Sequence, residues 1–343
     1  MTAAGREAGV GRTERTGAAA GQAAALAAGV ALLAAVAVVS IGVGAHRVAP
    51  AEVVRALFAY DGSAEQMIVR DVRAPRALLA VGVGAALAVS GVLVQTLSRN
   101  PLAEPGILGV TAGAGFAMTV GSALGAAAAP AGRLAVATAG AVLAAALVYA
   151  VGRSSPLRLV LTGVALSAVL SGVSLGMRLM LPDVFDQYRF WSVGSLAGRE
   201  RAPLALPLAA IGIAVVGALL LGRALNAVAL GDNVAHALGV HVARVRSTAL
   251  VLITVLAGAA TAVAGPIMFV GLIVPHAVRP LARGSVPWLT VHAAVFGAVL
   301  LLLADMGSRV LLPTGEVPVA IVTAFIGGPV LIWAVRRYGA GAP

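Results

Sequence analysis

"DVRAPRALLAVGVGAALAVSGVLVQTLSRNPLAEPGILGVTAGAG" occupies Asp71–Gly115. Pro75 suits a first helical turn, where its missing N–H costs nothing. Behind it, Arg76–Leu97 is an apolar run that contains one amide side chain, Gln95. A helix needs about 20 mostly apolar residues to cross a hydrocarbon core. The run then breaks at "SRNPLAEPGILG", where Asn100-Pro101 and Pro105-Gly106 punctuate a loop. Irregular backbone near membrane depth is tolerated only where protein or water surrounds it. The segment therefore predicts a membrane helix beginning near Pro75, a loop packed in a bundle or beside a pathway, and a second membrane helix.

The rest of the chain repeats this composition. Of 343 residues, 60% are hydrophobic and 11% charged, with mean hydropathy +1.00. A soluble domain carries roughly 25% charged residues, so most of this surface must face lipid. Ten apolar runs stand out: Ala18–Val43, Arg76–Leu97, Ile107–Ala128, Leu134–Val151, Leu157–Leu181, Leu204–Leu221, Arg246–Ala264, Ile267–Val278, Trp288–Leu303 and Val317–Val335. The eighth is short for a full span. The runs are unbroken rather than alternating, which argues against a membrane β-barrel. The fold class expected is an all-α integral membrane protein of about ten transmembrane helices. Gly (42 residues) and Ala let helix backbones approach closely, so the bundle should be compact. A polar basic lead over 1–17 is expected to be disordered, followed by one polytopic domain over 18–337 and a short tail over 338–343. The first apolar run is too long for a typical signal segment and reads as a retained helix.

The formal charge is +11, carried entirely by Arg. These arginines are scattered over loops, so a nucleic-acid partner is not expected. Cysteine is absent, which removes disulfides and thiolate metal sites. Without Lys there is no Walker A loop, so any ATP-driven transport draws on a separate chain. An even number of spans puts both termini on one side. With the termini inside, about 13 Arg fall inside and about 11 outside, a weak positive-inside signal. The outer face thus holds more Arg than orientation alone favours. Arg73, Arg76 and Arg309 fall there. Arg73 and Arg76 share a face if helical, and snorkelling at helix ends is the plain alternative.

The quoted stretch strongly resembles the FecCD family, the permease subunits of ATP-binding-cassette importers for iron–siderophores, haem and cobalamin. The resemblance continues through "FWSVGSLAGR" (Phe190–Arg199), "ALGDNVAHALGV" (Ala229–Val240), "AGPIMFVGLIVPHAVRPL" (Ala264–Leu281) and "LLLADMGSRVLLPTGEVPVAIVTAFIGGPVLIWAVRR" (Leu301–Arg337). It departs at Gly328, where the family usually has Ala, and at Pro280, which is able to shorten or kink a helix.

The resemblance implies a compact bundle of the cobalamin and siderophore importer type, in a bacterial cytoplasmic membrane with both termini cytoplasmic. It implies two ATPase subunits as partners, a second permease copy or paralogue, an extracytoplasmic binding protein, and surrounding lipid. No cofactor is expected on this chain; ATP is used by the partner subunits. The implied cargo is a ferric siderophore, with cobalamin or haem as alternatives.

Residue by residue, the resemblance assigns ATPase coupling to Leu230, Gly231, Asp232, Asn233, Ala235, Leu238 and Gly239. From spacing alone this stretch is a capped connector: Asp232 or Gly231 caps a short helix over Asn233–Leu238 and Gly239 ends it, with a second turn near His241. Arg73, Arg76 and Arg309 are assigned to docking of the binding protein. Gln95, Asn100 and Pro101 are candidates for a pathway or gate, Gln95 equally for a bond to a neighbouring helix. Asp305 and Glu316 either orient Arg309 or are hydrated loop acids. "NPLAEPGILGV" and "GPIMFVGLIVP" each follow a helix and precede a Gly-rich turn, the pattern of an inverted repeat, but the match is weak. An ion-coupled secondary transporter would need ionisable residues deep in its spans, and these runs hold few. No catalytic constellation of an intramembrane enzyme is present in the motifs.

Overall fold

The computed structural model describes residues 3–44, 48–152, 155–199, 203–312 and 315–338. Among the described residues, fourteen α-helices follow one another: α1 (Ala3–Gly42), α2 (Pro50–Phe58), α3 (Ala64–Ile68), α4 (Ala74–Ser98), α5 (Val110–Ala123), α6 (Pro130–Gly152), α7 (Pro156–Met180), α8 (Pro182–Ser192), α9 (Ala205–Ala229), α10 (Asp232–Ala237), α11 (Val242–Ala264), α12 (Val270–Ala282), α13 (Val286–Val310) and α14 (Val319–Tyr338). Seven stretches are long and apolar enough to cross a membrane, on α1, α3–α4, α6, α7, α9, α11 and α13. Shorter apolar helices are α5, α12 and Val319–Trp333 of α14. Together these match the ten expected runs in order. Of residues 1–17, where disorder is expected, 1–2 lie outside the described residues and the backbone from Ala3 onward is helical as part of α1. Residues 339–343 lie outside them too.

Two expectations are corrected. Pro75 sits in the first turn of α4, as expected, but the helix continues upstream: α3 passes into α4 through a π-turn at Val69–Arg73. A proline clashes with the carbonyl four residues earlier, and a π-turn is a local widening that relieves such a clash. The continuous helix Ala64–Ser98 has 35 residues, ~50 Å at 1.5 Å per residue, so its outer turns extend beyond a ~30 Å hydrocarbon core. The third run is also shorter than expected. Pro105–Leu108 forms a 3-10 turn, and α5 has only 14 residues. α12 has 13 residues, in keeping with the short eighth run, and Gly265–Met268 is non-helical before it.

α4 is the axis of the bundle. Its apolar window is 78% buried, against 11% for α7. α4 packs on α13, α11, α12 and α9. Glycine makes these approaches possible: a Cβ on Gly84 would strike the carbonyl of Gly297 in α13, and one on Gly297 the carbonyl of Gly84. Gly91 faces Gly271 of α12, and Gly113 of α5 faces Gly140 of α6, under the same constraint. Small-residue contacts of this kind hold membrane helices together where lipid supplies no hydrophobic drive.

Candidate functional site

The connector between α9 and α11 is a six-residue helix, α10, flanked by two glycines in left-sided backbone conformations: Gly231 at φ +118° and Gly239 at φ +76°. Gly231 is the N-cap, and the helix spans Asp232–Ala237 rather than Asn233–Leu238. The second expected turn is α11 itself, with His241 at its N-cap. Asp232 does not cap. Its Oδ1 accepts from Arg99 Nη2 at 2.6 Å and from Arg246 Nη2 at 3.0 Å. Arg99 is the left-handed C-cap of α4 and also donates to the carbonyl of Val228 in α9. Arg246 lies on α11. One carboxylate thus ties α10 to two bundle helices, one of them the axis. Ala235 is buried, Asn233 is exposed, and Leu230, Val234 and Leu238 project at 69%, 42% and 64% exposure. Val234 and Leu238, four apart, share a face of α10, and Leu230 is the C-cap of α9 just before it. Behind α10 lies a cavity of about 320 Å³ whose walls include Tyr149, Ser155, His236 and Arg246.

At the other end, Arg73, Arg76 and Arg309 are brought together, but facing inward. Arg76 donates from Nη2 to Asp305 Oδ1 at 2.9 Å and meets Glu316 Oε2 at 2.8 Å. Arg309 Nη2 meets Asp305 Oδ2 at 3.0 Å. Asp305 is fully buried on α13, so it orients two arginines and is not a hydrated loop acid. Glu316 is partly exposed. Arg73 donates to the carbonyls of Ile41 and Gly42, and Arg309 to those of Ser40 and Val43. The last carbonyls of a helix have no partner of their own, and cations suit that end. Here two arginines from elsewhere satisfy the end of α1.

Gln95 is buried. Its Nε2 donates to the Gly271 carbonyl at 3.1 Å and its Oε1 accepts from Arg279 Nη2 at 3.0 Å, so it bonds α4 to α12. Asn100 is exposed, and its Oδ1 accepts from the Leu102 N–H; Pro101 is half-buried beside it.

Sequence reasoning missed a cavity of about 450 Å³ between α5, α7 and the start of α12. Ser167, Ser171, Ser174 and Arg178 of α7 line it, at spacings of four, three and four. That spacing puts them on one helical face, and it was available in the sequence. At its outer end the Arg178 guanidinium sits 3.9 Å over the Tyr188 ring, which contacts Trp191 of α8. Beyond it lies the half-buried Arg199; desolvation first, and then the charge of Arg133, hold its guanidinium below its ordinary range. Glu104 enters the cavity from the loop before α5, and its Oε1 accepts from the Phe269 N–H at 2.7 Å. Among the described residues no group of three or more acids and histidines could hold a metal.

Residues 32–337 match the model of the FecCD transport family. The ferric enterobactin transport system permease protein FepD of Escherichia coli (strain K12) is 46% identical over 303 residues, 87% of this chain and 90% of that protein. The vitamin B12 import system permease protein BtuC of Vibrio cholerae serotype O1 is 37% identical, covering 82% of this chain and 86% of that protein. A solved structure described as an inward-facing metal-chelate type ABC transporter superposes with TM-score 0.81 at 30% identity, over 91% of this chain and 98% of that one. Ten apolar helices in matching order, a capped helix projecting between the sixth and seventh of them, and likeness over nearly the whole chain agree: the protein belongs to the FecCD transport family.

Proposed function

We propose that this chain is the membrane-spanning permease subunit of an ATP-binding-cassette importer that carries a ferric siderophore inward across a bacterial cytoplasmic membrane, with both termini cytoplasmic. The observation that carries this reading is α10. It is bounded by a glycine at each end, presents Val234 and Leu238 outward beside the exposed Leu230, and is fastened through Asp232 to α4 and α11. An apolar patch on a short projection suits the groove of a second protein, here a separate ATPase subunit on each permease. Leu230–Gly239 is the coupling segment. Uphill movement of cargo needs a conformational cycle driven by such a partner, since binding energy alone only shifts an equilibrium.

α7 exposes apolar side chains on several faces, among them Val169, Leu175 and Leu179, beside the hydroxyl-lined cavity. A second permease copy or a paralogue would cover that surface and complete the pathway. The binding protein would dock at the opposite end from α10. There Arg73, Arg76 and Arg309 gather near Asp305 and Glu316. Pairing with acidic groups on a partner at that end would fix register more than affinity.

The siderophore assignment follows the 46% identity to a ferric enterobactin permease. The haem and cobalamin readings have relatives of their own, such as the hemin permease HmuU of Yersinia pestis at 38%. The test is uptake in iron-starved cells lacking this gene, offered labelled ferric siderophores, haem and cobalamin. Loss of siderophore uptake alone, restored by the intact gene, is the expected result. Loss of haem or cobalamin uptake instead would keep the machine and change its cargo. No loss of any would sink the import reading.

A further inference from the structure

Phe269 precedes α12 with φ +71°, a left-handed conformation that non-glycine residues adopt rarely. Strained backbone persists only where its surroundings fix it, and such positions gather at functional sites. Here the Phe269 N–H is held by Glu104, a carboxylate 165 residues away that also forms part of the cavity wall. One turn on, the Gly271 carbonyl is held by Gln95, and Gly271 lies against the Leu87 carbonyl and the Pro105 ring. The first turn of α12 is thus fixed by close backbone packing on the α4 side. On the cavity side, the bond from Glu104 holds it. The two segments joined are "NPLAEPGILGV" and "GPIMFVGLIVP", each a helix interruption followed by a short helix. They meet at one carboxylate.

We propose that the Glu104–Phe269 hydrogen bond is a latch between these two interruptions, and that Glu104 is a positioning residue of transport: it holds the start of α12 as a wall of the pathway. Because the same carboxylate faces the cavity, a hydroxyl or cationic group of a passing chelate that draws Glu104 away releases the first turn of α12. This rests on the import reading above.

The chain in lipid nanodiscs is compared as wild type, Glu104→Ala and Glu104→Gln by backbone hydrogen exchange, with uptake measured in cells. The amide of Gln keeps the acceptor. In Glu104→Ala, exchange over residues 265–274 should quicken about tenfold or more while peptides of α4 and α13 stay unchanged. Uptake should fall about fivefold or more at equal membrane abundance. Glu104→Gln should restore both to within about twofold of wild type. Unchanged exchange over 265–274 in the Ala variant overturns the latch. So does exchange that quickens equally throughout the bundle, which would make Glu104 a residue of general stability. Faster local exchange with wild-type uptake overturns the positioning role. Absence of uptake by the wild type would strike the import reading alone, since the exchange measurement needs no cargo.

Discussion

Asp232 and Asp305 are two carboxylates that each serve two arginines, in opposite surroundings. Asp305 is sealed in the bundle, where removing one member of an ion pair leaves uncompensated charge and costs about 3–5 kcal/mol. Asp305→Ala should therefore lower the melting midpoint of the detergent-solubilised protein clearly. An unchanged midpoint would mean that the cluster is dispensable to the outer end. Asp232 is 40% exposed, and exposed pairs contribute only about 0–1 kcal/mol. Asp232→Ala should leave the melt within about a degree or two yet reduce uptake about tenfold. A variant with wild-type uptake would remove Asp232 from coupling. These roles were only half legible. The sequence places both acids near arginines, but an acid close to a helix end reads equally as solvated or buried. The partners that decide, Arg76 for Asp305 and Arg99 for Asp232, lie 229 and 133 residues away.

Among the elements, those that lipid dictates were the readable ones. A membrane core demands about 20 apolar residues, and each of the ten runs carries a helix. The surface helices α2, α3 and α8 escaped because they are short and mixed in polarity, and nothing in single-chain composition separates them from loops. The length of α5 escaped for another reason: Ile107–Gly109 and the end of its run, 124–128, are apolar enough to continue a helix, yet Ile107–Leu108 close a 3-10 turn and α5 ends at Ala123. The apolar patch at α10 leads to a direct expectation. Leu238→Asp or Leu230→Asp should abolish co-purification of an ATPase subunit while the permease still reaches the membrane. An intact complex on purification would show that the patch is not the contact. On α4, Gly91→Leu should block assembly of the bundle, since the added side chain meets the Gly271 backbone. Normal membrane abundance and melting would contradict the packing argument.

For the whole molecule, burial is graded from the axis at α4 to the rim at α7. A helix so exposed and yet carrying hydroxyls and Arg178 on one side is incomplete alone. Because the chain has no cysteine, single cysteines at Val169 and Leu179 give an unambiguous readout. A bifunctional maleimide should join two copies in native membranes. Monomer alone would assign that surface to a paralogue or to lipid. The architecture was legible as a family resemblance long before any contact was visible, whereas the cavity was not, because its walls come from α5, α7, α11 and the start of α12 together.

The fastening of α10 has a mechanical consequence. Its backbone leaves α9 at Gly231, and its single acid is gripped by Arg99 from α4 and by Arg246 from α11. Both arginines meet the same oxygen, one residue from where the chain leaves α9, so the ends of α4, α9 and α11 converge at the root of α10. Force applied to α10 is then delivered to all three helix ends at one junction.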